Sequence, residues 1–213
     1  MNLTIRLENT DDYRAVEELT REAFWNVNVP GCGEHLLAHN LRLYKNFVKE
    51  LDFVAEADGE IVGNIMYVRA SVVDDDGTSH EVLSFGPISV LPKFQRQGVG
   101  SALIAHSTII ARAMGFGATL IYGSPKYYPR FGFRPAKEFG IMSADAYYAA
   151  ALQALELRQG ALDGIKGRFV EGDVFELSDD ALEEFEKAFE PKEKKETESQ
   201  KEFMKTVMMR EKA

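Results

Sequence analysis

Six residues constrain this chain more than any others: Gln95-Arg96-Gln97-Gly98-Val99-Gly100. They follow a β-like run, Val82 to Val90, and open a long apolar helix that reads through to Met114. A glycine-rich turn at such a junction leaves backbone N–H groups unpaired at the positive end of a helix dipole. That arrangement holds phosphate without a basic side chain. Two phosphate loops are excluded by the residues themselves. A P-loop needs Lys-Ser/Thr after its last glycine, and Gly100 is followed by Ser101-Ala102. The dinucleotide fingerprint needs a small residue three positions after its second glycine, where this chain has Leu103.

The pattern that remains is Gln/Arg-x-x-Gly-x-Gly/Ala, carried by Gln95, Gly98 and Gly100. About thirty residues on comes Tyr128-Pro129-Arg130-Phe131-Gly132-Phe133, and the strand-like Gly117 to Tyr122 lies between. In order and spacing these anchors resemble the GNAT superfamily of acyl-CoA-dependent N-acetyltransferases. The Tyr127-Tyr128 doublet after Gly123-Ser124-Pro125 is most similar to its YhbS-like branch. One position departs: many GNAT chains carry Asn seven residues before the tyrosine, and here it is Ile121, so no contact of that Asn is carried over.

A pass along the chain gives the elements. Residues 3–7 alternate like a strand, and Asn9-Thr10-Asp11-Asp12 offers cap residues for a helix to about Trp25. A loop through Gly33 precedes a second helix from Glu34 to Lys49. Strands follow from Leu51 to Glu56 and from Ile61 to Val73, joined by an Asp58-Gly59 hairpin turn. Asp74-Asp75-Asp76-Gly77 turns into the strand before the glycine pair, and Gly115 ends the helix that follows. The resulting order, β-α-α-β-β-β-α-β-α-β, predicts an α/β fold with a mixed (α+β) sheet and matches the GNAT core. Further on, Ala144 to Leu157 reads as a helix and Lys166 to Phe175 as a strand. Ser178-Asp179-Asp180 caps a helix to about Phe189, and Pro191 to Glu196 reads as a solvated linker. The expected division is a GNAT domain over residues 1–175 and a charged helical extension over 176–213. In the extension, Phe203, Met204, Val207 and Met208 form an amphipathic stripe. It either packs on the domain or docks a second subunit in a homodimer.

Composition narrows the partners. With 213 residues and 45% hydrophobic content the chain can bury one sizeable core. A net charge of −9 without a basic run argues against nucleic acid and suits a cationic amine. The single cysteine, Cys32, forms no intramolecular disulfide, and no apolar run has the length of a membrane span. Met1 to Arg6 lacks a signal-peptide h-region. The expectation is a cytoplasmic protein with no membrane or nucleic-acid partner.

The resemblance implies a cosubstrate, acetyl-CoA, and roles by position. The segment Gln95, Arg96, Gln97, Gly98, Val99, Gly100 and Ser101 would hold the pyrophosphate, with Gly98 and Gly100 allowing close approach. Ile88, Ser89 and Val90 would pair with the pantetheine arm on an edge left open where two strands splay, helped by Gly86-Pro87. One of their N–H groups would face the thioester oxygen. Tyr128 would protonate the departing thiolate. The acceptor is a small-molecule or protein amine. Its general base is left open among Glu34, beside the presumed substrate loop, and Glu81 and His80, ahead of the cofactor strand. Trp25, Asn26 and Asn28 are further candidates for the acceptor side. Cys32-x-x-His35-x-x-x-His39 lacks a clear fourth ligand and the zincin glutamate, so no metal is assigned. His106 falls on an apolar helix stripe and reads as a core histidine. A non-catalytic acyl-CoA sensor and a nucleotide-binding structural protein are the competing readings.

Overall fold

The computed structural model describes residues 2–213. The chain starts with strand β1 (Leu3–Leu7) and a 3-10 turn over Thr10–Asp12. There Asn9 and Asp12 form a reciprocal capping box. Helices α1 (Tyr13–Phe24) and α2 (Glu34–Leu41) follow, then β2 (Phe53–Ala57), β3 (Glu60–Val73) and β4 (Ser79–Val90). Next come helix α3 (Val99–Ala113) and strands β5 (Ala118–Tyr122), β6 (Arg134–Pro135), β7 (Ile141–Met142), β8 (Tyr147–Ala149), β9 (Leu152–Glu156) and β10 (Gly167–Val170). The chain closes with α4 (Asp179–Glu186), α5 (Glu198–Met208) and β11 (Arg210–Lys212).

One mixed sheet runs β1-β2-β3-β4-β5-β9-β6, with β10 bridging β3 and β7; β11 pairs β8 separately. Asp58 and Gly59 both take positive φ (52° and 84°), the backbone that a two-residue hairpin between β2 and β3 requires. α3 covers one face of the sheet through Val99, Leu103 and Ile104 against Ile65, Tyr67, Leu83 and Phe85. On the opposite face, α2 packs Leu37, Ala38 and Leu41 on Met66 and Val68, and β10 lays Phe169 over Ala118 and Leu120.

Four expectations are corrected. The second helix stops at Leu41, not Lys49, because residues 46–48 are drawn onto the edge of β3. There Val48 N–H donates to Tyr67 O and Arg69 N–H to Asn46 O. No α-helix follows β5; a single 3-10 turn, Tyr128–Phe131, takes its place. Ala144 to Leu157 is not helical. It forms β8 and β9, and β9 pairs antiparallel with β5 from Ala118↔Glu156 to Tyr122↔Leu152. Finally, residues 191–197 keep their charges in solvent, but their backbone is tied down. Trp25 Nε1 and Asn26 Nδ2 both donate to Glu193 O, and Lys195 N–H donates to Asn26 Oδ1.

Candidate active site

β4 and β5 run parallel but share only the Leu83↔Thr119 register, and beyond it they part. On its other side β4 stays paired to β3, with a bulge in which Gly86 and Pro87 oppose Met66. The outer edge of Ile88, Ser89 and Val90 therefore faces a gap rather than a neighbouring strand. A cleft of about 1260 Å³ opens from this gap. Ile88 and Val90 line it, while the Ser89 side chain points to the other face and donates to Thr20 Oγ1.

The turn into α3 forms the next wall. Arg96 and Gly98 both have positive φ (60° and 92°), which folds the turn back on itself. At Gly98 that conformation is available without a Cβ penalty. Gln95 Nε2 donates to Val90 O and Gln97 Nε2 to Lys93 O, so both amide side chains brace the loop from within. Among the described residues no protein acceptor takes the N–H groups of Arg96 to Ser101. Six adjacent unpaired donors at a helix N-terminus form an anion cradle. Gln95, Arg96, Gly98, Val99, Gly100 and Ser101 line the cleft; Gln97 does not.

Tyr128 stands across the gap. Its ring packs between Phe85 and Phe133, with centroids 5.9 and 5.5 Å away, and edge-on to Tyr127 at 5.2 Å. Burial, then the neighbouring Tyr127, pushes its phenol well above the ordinary tyrosine value, so it stays protonated. Lys126 and Arg130 flank it on the cleft, Arg130 lying over the Tyr127 ring at 4.5 Å. Among the described residues neither they nor Arg96 has an ion-pair partner. Arg96 was expected at this site; Lys126 and Arg130 beside it were not foreseen, because they lie far from it in sequence and converge with it only in space.

The acceptor-side candidates separate. Phe24 and Asn28 reach the cleft. Glu34 sits behind Asn28, accepting from Asn28 Nδ2 and Gly33 N–H at 3.0 Å each, and burial raises its carboxyl. Trp25 and Asn26 instead hold the C-terminal segment. Glu81 and His80 are not brought to the cleft. They lie at the far end of β4, Glu81 paired with exposed Arg69 and His80 with Asp74. His106 is half-buried, edge-on to Phe53 at 4.8 Å. Cys32 Sγ does touch His35 Nδ1 at 3.5 Å, but the thiol is 4% exposed and burial pushes it far above its usual range. No substrate reaches such a thiol. His39 turns away to Glu17.

An open parallel pair, a row of unpaired N–H groups at the following helix, and a tyrosine across the gap meet on one mixed sheet. Residues 49–135 match the model of the acetyltransferase (GNAT) domain family. The chain is 28% identical over 166 residues to the uncharacterized N-acetyltransferase YhbS of Escherichia coli strain K12, spanning 78% of this chain and 93% of that one. Among solved structures, YhbS from Escherichia coli in complex with CoA matches with a TM-score of 0.73 at 24% identity, over 83% of this chain and 93% of that chain. A GNAT family acetyltransferase from Brucella melitensis in complex with acetyl-CoA matches at 0.65 and 26% identity, over 82% and 98%.

Proposed function

We propose that the protein transfers an acetyl group from acetyl-CoA directly to a primary amine of a small molecule or protein. The observation that carries this reading is the row of unpaired N–H groups from Arg96 to Ser101 beside the open edge of β4. The diphosphate of coenzyme A would occupy that cradle, with Arg96, Lys126 and Arg130 supplying charge at the cleft mouth. The pantetheine arm would add a strand to the edge of Ile88, Ser89 and Val90. The two relatives of known structure, crystallised with CoA and acetyl-CoA, support the cosubstrate.

In the reaction a neutral amine attacks the thioester carbonyl, the C–S bond breaks, and sulfur leaves with the electron pair. Tyr128, held as a phenol, gives its proton to that sulfur and regains one from the nitrogen of the collapsing adduct. Tyr128→Phe should retain acetyl-CoA affinity within about twofold and lower kcat by roughly 10²-fold, the usual weight of a general acid. Calorimetry and steady-state kinetics on an amine panel check this. Unchanged turnover would remove the acid role. No turnover in the wild type, with tight acetyl-CoA binding, would favour an acyl-CoA-binding module.

A further inference from the structure

We infer that Glu171 is the residue that takes the proton from the incoming ammonium group; the inference rests on the acetyl-transfer reading above. Glu171 follows β10, where the chain crosses the sheet face opposite α3. Ser84 Oγ donates to Glu171 Oε1 at 3.0 Å, and Ser84 comes one residue after the last β4–β5 pairing at Leu83. The carboxylate therefore sits where the two strands begin to part. Its other neighbour is Tyr122, the last residue of β5, which lines the cleft and whose phenol is raised by burial and by the charge of Glu171. Phe175, four residues on, lies 3.8 Å from the point where a Cβ on Gly86 would stand, so the same segment roofs the bulge in β4. Glu171 does not itself line the cleft; it stands behind Tyr122 at the parting of β4 and β5, on the sheet face opposite α3, so the ammonium proton would reach it through one water in the gap.

The groups packed around it are few. Ser84 faces it from β4 and Tyr122 from β5. Tyr44, beyond α2, presses on neighbouring Gly172 and has its phenol raised by burial and by Asp173; Asp145 lies beyond Tyr122. Among the described residues no arginine, lysine or histidine pairs with Glu171. A carboxylate without a cation, in a largely dehydrated site, is a better base than one in water. Burial raises Glu171 to about 7, with the Ser84 hydrogen bond pulling the other way. That value suits proton exchange at neutral pH.

The protons balance. R–NH3⁺ gives one to Glu171, which passes it to solvent between turnovers. The resulting R–NH2 forms the C–N bond as the C–S bond breaks, and the second nitrogen proton replaces the one Tyr128 gave to sulfur. The products are R–NH–acetyl, coenzyme A thiol and one released proton.

The test is the pH profile of kcat/KM for Glu171→Gln and Ser84→Ala beside wild type, with acetyl-CoA and a panel of primary alkylamines. Wild type should show a limb near pH 7. Glu171→Gln should lose that limb and about 10²-fold of its rate at pH 7. It should regain rate as pH approaches the amine's own pKa, with acetyl-CoA affinity unchanged. Ser84→Ala should move the limb to higher pH, an effect that loss of packing alone does not produce. A Glu171→Gln enzyme with wild-type rate and profile overturns the inference and leaves the acetyl-transfer reading standing. Carboxyl NMR of the CoA-bound protein is the readout independent of turnover. A carboxyl titrating near 7 and absent in Glu171→Gln supports the assignment; if wild type transfers no acetyl group while that carboxyl is present, the transfer reading is what fails.

Discussion

Gly123 has no room for a side chain. A Cβ there would stand 2.2 Å from Tyr128 Cε2 and 2.5 Å from Cδ2, closer than any real contact. The residue is not in a left-handed conformation, so its role is to let the Tyr128 ring lie flat against the backbone at the end of β5. Gly123→Ala should displace that ring at a cost of roughly 1–3 kcal/mol in stability. On the proposed mechanism it should also reduce kcat by at least about tenfold, since a misplaced proton donor is a poor one. Acetyl-CoA affinity should hold within about threefold, because Ser101, Gly100 and Gly98 are untouched; paired kinetics and calorimetry read the two effects separately. The positive-φ turn at Gly98 and the place of Tyr128 on the cleft could be located from the sequence because a local pattern marks each. Glu171, Lys126 and Arg130 could not. Their placement depends on which strands neighbour which, and nothing adjacent in sequence announces it.

At the level of elements, the misread stretch 144–157 shows why tertiary contacts override propensity. β9 is covered on both faces: Leu152 and Ala154 pack beneath β10, and Leu155 toward α3. A strand buried on both sides has no alternating pattern to betray it, and its alanines and leucines favour helix in isolation. The hairpin of β2 and β3 and the helices α1 and α3 were readable because their turns and caps are local. α5 was legible as an amphipathic helix but not in what it faces. Phe203 and Val207 line the cleft, 39% and 41% exposed, while Met204 and Met208 point elsewhere. If the cleft holds acetyl-CoA, those two side chains are its outer wall. Phe203→Ala combined with Val207→Ala should then weaken acetyl-CoA binding by roughly 5–30-fold, the worth of one or two kcal/mol of lost apolar contact. Tm should change little, because both residues are already half in solvent. Unchanged affinity together with a change in sedimentation would instead assign the stripe to a second subunit.

Across the whole molecule, charge is gathered where separate elements meet. His35 on α2 is buried and neutral, its pKa lowered to about 4 chiefly by burial. Its Nε2 lies 2.8 Å from Glu186 Oε1 on α4 but out of line for a hydrogen bond. Arg21 on α1 binds the same carboxylate, so α1, α2 and α4 share one anchor. A second gathering ties β1, α1 and α2 to the start of β2. Arg42 takes Glu8 through two hydrogen bonds and Glu17 through a third, and Asp52 is buried beside them with Oδ1 unpartnered. Burial, then the nearby Glu8, raises the Asp52 carboxyl far above its ordinary range. The sign follows directly. From about pH 4 upward the unfolded chain gives up this proton while the folded chain keeps it, so the stability the group contributes falls as pH rises. Asp52→Asn keeps the shape and has no proton to hold. The difference in Tm between variant and wild type should therefore grow in the variant's favour from pH 5 to pH 9, by about 2–4 °C for each kcal/mol in a chain of this length. A difference that stays flat across that range would mean that Asp52 is ionised in the fold and that Arg42 balances all three carboxylates.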